Sequence, residues 1–139
     1  METLKTFIED REGNFAMLAS IVSVPILFAV GLSIDYANIS RVKSELQQAI
    51  DSAALAVARE GDQITQAQAN AIAANFMREN FHSPHDAPIV TISGSDVLVH
   101  ANAVLPMNFG GLFGVPTTTI SADATTTISY ANYEIALAL

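Results

Sequence analysis

Hydrophobic and polar positions divide the chain into stretches of different period. Residues 15–34 read FAMLASIVSVPILFAVGLSI and carry no charge on any side. From 35 to 60 the apolar positions thin to Ile39, Val42, Leu46, Ala49/Ile50, Ala53 and Val57. Steps of three and four draw one stripe along an amphipathic helix. Arg41, Lys43, Glu45, Gln48, Ser52 and Arg59 fall on the opposite face. No Gly or Pro interrupts residues 35–60, so the two stretches predict one continuous helix of about 45 residues. Gly61-Asp62 ends it, as a glycine just past a helix does. Thr65-x-x-Gln68 has the form of a capping box and opens a second helix over about 65–81, with Ala69, Ile72, Ala73, Phe76 and Phe81 near one face. The stretch 82–88, with two prolines, is a turn or linker. From Ile89 the period becomes two. Ile89 to Ile92 predicts a strand, Gly94-Ser95 a hairpin turn, and the alternating Val97, Val99, Ala101, Ala103 and Leu105 a second strand. Residues 106–116 hold three glycines and predict a loop or short helical turn, and the Thr- and Ile-rich residues 117–129 a third strand. The fold class expected is therefore α+β: a single transmembrane helix continuing into a long amphipathic helix, then a second shorter helix and a small antiparallel sheet.

The apolar stretch opens at Phe15 and closes at Ile34, between Glu12 and Asp35. As a helix, twenty residues rise about 30 Å, the thickness of a hydrocarbon core. Eleven of them are Leu, Ile, Phe or Val, which favours insertion by roughly 3–7 kcal/mol. A buried core helix is the competing reading, but a chain this small could hardly surround it. A cleaved signal peptide would have a basic start, a shorter apolar run and a small-residue cleavage site. A surface-lying helix would need one polar face. Pro25 sits mid-span; it cannot donate to the Ile21 carbonyl, and a kink or local bend is expected there. Lys5 and Arg11 on one side balance Arg41 and Lys43 on the other, so charge alone leaves orientation open.

Composition narrows the function. Net charge is -8, and the part after the span holds ten acids against four bases. A surface this acidic does not suit nucleic acid, whose phosphates are met by clustered Lys and Arg. There are no cysteines, hence no disulfide or thiolate metal site. His82-x-x-His85-Asp86 is a possible metal cluster by residue type only; it lies in a proline-containing linker with no helix to fix its geometry. No nucleotide-binding loop, and no nucleophile, base and orienter at useful spacing, can be found. No catalytic residue, cofactor or metal is expected, and the chain is not read as an enzyme. Asp35 falls where the span meets water. Asp51 could pair with a base on another helix, and both acids could set contacts between subunits, so self-association stays open.

The amino-terminal half resembles the TadE/TadG-type family of Flp pilus-assembly proteins. That family's pattern is a charged pair and Gly, an apolar span containing Pro, an Asp, an Arg, then a Leu-Gln-x-Ala-x-Asp-x-Ala-Ala-Leu-Ala run. Here it stands as Arg11-Glu12-Gly13, the span with Pro25, Asp35, Arg41, and Leu46-Gln47-Gln48-Ala49-Ile50-Asp51-Ser52-Ala53-Ala54-Leu55-Ala56. The resemblance covers about residues 10–60. It implies an inner-membrane anchor with residues 1–14 in the cytoplasm, 15–34 across the bilayer and an extracytoplasmic α+β domain over 35–132 in the bacterial periplasm. The partners implied are the inner membrane and other pilus-assembly proteins, and the role is in building or displaying tight-adherence pili that serve cell adhesion.

Two departures from relatives qualify that role. In larger members this region precedes a von Willebrand A-type domain, and residues 133–139 resemble its first strand, so a truncation is expected. The alternative function is then a membrane-tethered stalk or binding module for an adhesin-like domain missing from this chain. True prepilins place a Glu five residues after their cleaved Gly; counted from Gly13 that position is Leu18. A carboxylate there would need a partner in lipid. Its absence favours an uncleaved anchor over a filament subunit.

Overall fold

A computed structural model describes residues 11–61 and 63–128, with side chains from residue 15 onward. The side chains of Arg11 and Gly13, residues 1–10, Ser129 and the strand expected over 133–139 lie outside it. The elements follow in the order α1 (Arg11–Arg59), α2 (Gln66–Asn80), β1 (Ile89–Ser93), β2 (Asp96–Pro106), a 3₁₀ turn (Gly110–Phe113) and β3 (Thr117–Thr127). The chain is thus α+β, with a long helix that begins apolar, a second helix and a three-stranded antiparallel sheet in the order β1-β2-β3. Its described residues fall into two compact units. One is the helix up to Asn38 with the loop Met107–Pro116; the other takes Ile39–Pro106 and the chain from Thr117.

In the first unit, residues 15–34 form helix with every side chain exposed except Gly31. The helix is long and apolar enough to cross a membrane, and the chain does not wrap it as it would a core helix. Helical assignment runs unbroken through Pro25. The hydroxyls of Ser20, Ser23 and Ser33 donate to the carbonyls of Ala16, Ser20 and Ala29 at 2.7–2.9 Å. Each thereby meets its hydrogen-bonding need within the helix, leaving the surrounding surface apolar.

In the second unit the stripe on α1 is the core. Val42, Leu46, Ala49, Ile50, Ala53 and Val57 are buried, joined by Ala54. Adjacent small residues at 53 and 54 widen the stripe without demanding volume. α2 begins with the capping box: Gln68 N–H donates to Thr65 Oγ1 at 3.3 Å, and Thr65 N–H donates to Gln68 Oε1 at 3.0 Å. Its buried face is Ala69, Ala73 and Met77, with Phe81 beyond its end. That corrects the expected face by one position. Met77, four residues after Ala73, enters the core, while Phe76 stays exposed.

The sheet repeats the alternation read from the sequence. Val97, Val99, Ala101, Ala103 and Leu105 of β2 all point inward. On the same face Val90 pairs with Val99, Ala124 with Val99, Ala122 with Ala101 and Ile120 with Ala103. The inward residues of α1, α2 and the sheet make one apolar cluster. Gly94, at φ +61°, supplies the left-handed turn between β1 and β2.

The exposure pattern sets the cost of substitution. Leu46→Ala, at a fully buried position, is expected to cost about 2–5 kcal/mol. Leu55→Ala, at a position 62 % exposed, should change stability by no more than about 0.5 kcal/mol. Denaturant melts of the full chain in detergent micelles, followed by far-ultraviolet circular dichroism, measure both. Thr65→Ala removes the cap and should cost about 1 kcal/mol.

Candidate functional site

The first unit holds the one buried charge among the described residues. Asp35 closes the apolar run, and only 1 % of it is exposed. Its carboxylate faces the segment that joins β2 to β3. Asn108 N–H donates to Oδ1 at 2.7 Å, and the N–H groups of Phe109 and Gly110 donate to Oδ2 at 2.9 and 2.8 Å. Three successive backbone donors converge on one carboxylate, as they do on anions at helix starts and in backbone nests. Burial works against the ionised form. The N–H groups of Phe109, Asn108 and Gly110 outweigh it, with help from the Asn108 side chain, and hold the carboxyl below its ordinary value of 3.8.

Local chemistry explains why this loop can present its donors. Met107 N–H bonds the Pro116 carbonyl at 2.9 Å and Val115 N–H the Gly110 carbonyl at 3.0 Å, closing the loop on itself. A side chain at Gly110 would come within 2.6 Å of the Val115 carbonyl oxygen, so the closure needs a glycine there. Gly114, at φ +77°, ends the 3₁₀ turn in a left-handed conformation.

The helix meets the loop along a single line. Phe28, Gly31 and Asp35 stand at i, i+3 and i+7 and so share one face. The Phe109 ring lies over Gly31 so closely that a Cβ on Gly31 would sit 2.7 Å from ring atoms. The rings of Phe28 and Phe113 meet edge to face with centroids 5.2 Å apart. A hydrogen-bonded clamp at Asp35 thus continues into apolar packing at Gly31 and Phe28.

The other singled-out residues divide by environment. Leu46, Ala49, Ala53 and Ala54 are core. Arg41 pairs with Glu45 one turn on at 2.7 Å, on an exposed surface, where such a pair contributes about 0.3–0.5 kcal/mol. Gln47 Nε2 donates to Asp51 Oδ1 and to the Asp123 carbonyl, both at 2.9 Å, so it ties α1 to β3. Asp51 thus accepts from Gln47 on its own helix and stays on the exposed surface. Leu55 is exposed.

His85 Nδ1 lies 2.9 Å from the Ser83 carbonyl and its ring packs on Phe81. Among the described residues no three His, Asp or Glu side chains gather as a metal site would require. A pair that sequence reasoning missed is His100 with Asp123, opposite each other across β2 and β3 at 2.7 Å. Their cross-strand register was the available signal, but it depends on a pairing that sequence alone does not fix. Asp35 was legible as an acid at the end of the span. Its loop partners, more than 70 residues away in sequence, were not. The clue was a loop of Phe, Leu, Val and Gly with no charge, where loops are usually polar.

These features define an α+β protein built on one long helix that is apolar on all sides at one end and core-forming at the other. Residues 13–60 match the family model described as "Putative Flp pilus-assembly TadE/G-like". The match takes in the apolar stretch, Asp35 and the core stripe of α1; α2 and the sheet lie beyond it. No curated protein and no solved structure matches the chain.

The clamp makes two expectations. Asp35→Asn should expose the Asn108, Phe109 and Gly110 amides to hydrogen exchange, and Asp51→Asn should leave them protected. Gly31→Val, which keeps the carboxylate but drives a side chain into Phe109, should loosen the same loop. Because the folded carboxyl is held below its ordinary value, its contribution is complete above pH 3.8 and is lost as pH falls through the lower folded value. Amide exchange of the full chain in micelles across that range reads this directly. Unchanged protection in Asp35→Asn would show that the charge does not hold the loop.

Proposed function

We propose that this protein is a membrane-anchored structural or assembly component of a Flp-type pilus system. In this reading residues 15–34 cross the bacterial inner membrane once, residues 1–14 stay in the cytoplasm and the α+β part lies in the periplasm. The observation that carries it is the coincidence of the Tad match, residues 13–60, with one helix whose two halves suit two environments. The apolar half is exposed at every position from 15 to 34 except Gly31, and the following half buries a single stripe. Such a helix suits a part that holds other parts in place. The acidic surface, with net charge -8, does not favour nucleic acid.

Other pilus-assembly proteins are the partners this reading calls for, with self-association through α1 a further contact to test. Nothing described bears on residues 133–139, so the stalk reading has no structural observation behind it.

A chromosomal deletion of the coding sequence should abolish or sharply reduce surface pili and adherence, and the full chain supplied in trans should restore both. Alkaline phosphatase fused after residue 128 should be active only if that end is exported. The chain should stay with membranes through an alkaline carbonate wash. Normal piliation in the deletion strain would overturn the assembly role, and release into the wash would overturn the anchor.

A further inference from the structure

We propose that the loop Met107–Pro116 is a second membrane contact, its tip at Leu112 and Phe113 entering the leaflet reached by the Ile34 end of the span. The inference rests on the reading of residues 15–34 as a membrane anchor. Its first support is position. The loop packs on residues of the span itself, with Phe109 over Gly31 and Phe113 against Phe28. Phe28 precedes Asp35 by seven residues, so it lies about 10 Å further along the helix axis. That displacement is comparable with the ~5–10 Å to which an interfacial element buries its apolar face. A tip held beside Phe28 shares its depth.

The second support is surface chemistry. Residues 107–116 read MNFGGLFGVP, without a charge. Leu112 is 70 % exposed, Phe113 52 % and Val115 50 %. Three large apolar side chains displayed together on a loop are costly to hydrate and mark a contact surface.

The third support is the backbone. Irregular chain near the hydrocarbon is tolerated only when its polar groups find partners in the protein. Here the Asn108, Phe109 and Gly110 N–H groups are taken by Asp35. Those of Leu112, Gly114 and Val115 are taken by carbonyls of the loop itself. Asp35 thus leaves the loop with an apolar exterior and few free donors. Continuity with the span makes lipid, not a second protein surface, the occupant.

The chain contains no tryptophan, so one introduced Trp reports its own surroundings. The full chain is reconstituted into vesicles of phosphatidylcholine and phosphatidylglycerol carrying Leu112→Trp or, as a reference within the span, Val24→Trp. Leu112→Trp should emit to the blue of aqueous Trp and lose emission with lipids brominated high on the acyl chain. Val24→Trp should be quenched most by bromines near the chain ends. Quenching at Val24 with water-like, unquenched emission at Leu112 would overturn the loop contact and leave the anchor standing. Blue-shifted but unquenched emission at Leu112 would also overturn it, assigning the tip to a protein surface. Absence of quenching at Val24 would sink the anchor reading, and the loop contact with it.

Discussion

A helix that passes from one environment into another must change its rule of composition where the environment changes. In α1 the rule of composition changes at Asp35. From residue 15 up to it every position except Gly31 is exposed, and the residues are apolar on all sides. After it apolar residues are confined to the line Val42, Leu46, Ala49, Ile50, Ala53 and Val57. An α-helix tolerates both rules because its backbone hydrogen bonds are satisfied within the segment, in lipid or in water. Side chains alone then decide what each half can contact. The sheet and α2 use only the second half, where a one-sided stripe gives them something to bury.

Placing a carboxylate at that change is a physical problem as well as a marker. A buried charge is costly unless it is paired or generously hydrogen-bonded. Asp35 takes three backbone N–H donors from a distant loop, and the balance favours the ionised form. The dependence runs both ways. Asn108, Phe109 and Gly110 would otherwise present unpaired donors beside an apolar helix, and Asp35 an unpaired charge. Gly31 completes the arrangement by leaving room for Phe109. A clamp that joins an ionic acceptor to close apolar packing is more selective than either part, because a shift of the loop would lose both together.

Sequence disclosed the periodic parts of this structure and little of the clamp. Repeats of 3.6 and 2 report which side of an element is buried, so the core of α1 and the inward face of β2 could be read residue by residue. α2 was read less well because Phe76 and Met77 are both apolar and adjacent. Periodicity placed the helix, but only packing decided which of the two went inside. Asp35 belongs to another class of problem. Its partners are main-chain groups, which have no letter in the sequence, and they come from a segment more than 70 residues away. What could be read was an acid at an edge and an oddly apolar glycine loop; what joins them is tertiary.

Within the Tad-matching segment, packing accounts for some residues and leaves others over. Leu46, Ala49, Ala53 and Ala54 are accounted for by the core of this chain. Gln47 is accounted for by its bond to the Asp123 carbonyl, which fastens helix to sheet, and Asp35 by the loop. The remainder among the described motif residues is Arg41, Asp51 and Leu55, exposed on the same helix, and apolar Leu55 has a counterpart beyond the segment in Phe76, exposed on α2. Among the described residues both keep apolar surface in contact with water, Leu55 more than Phe76. Two exposed apolar residues are common enough on any protein that they do not name a partner. The residues of the Tad segment that could act outside this molecule are therefore fewer than its motif suggests, because most of the motif is already engaged in holding the helix to its own sheet and loop.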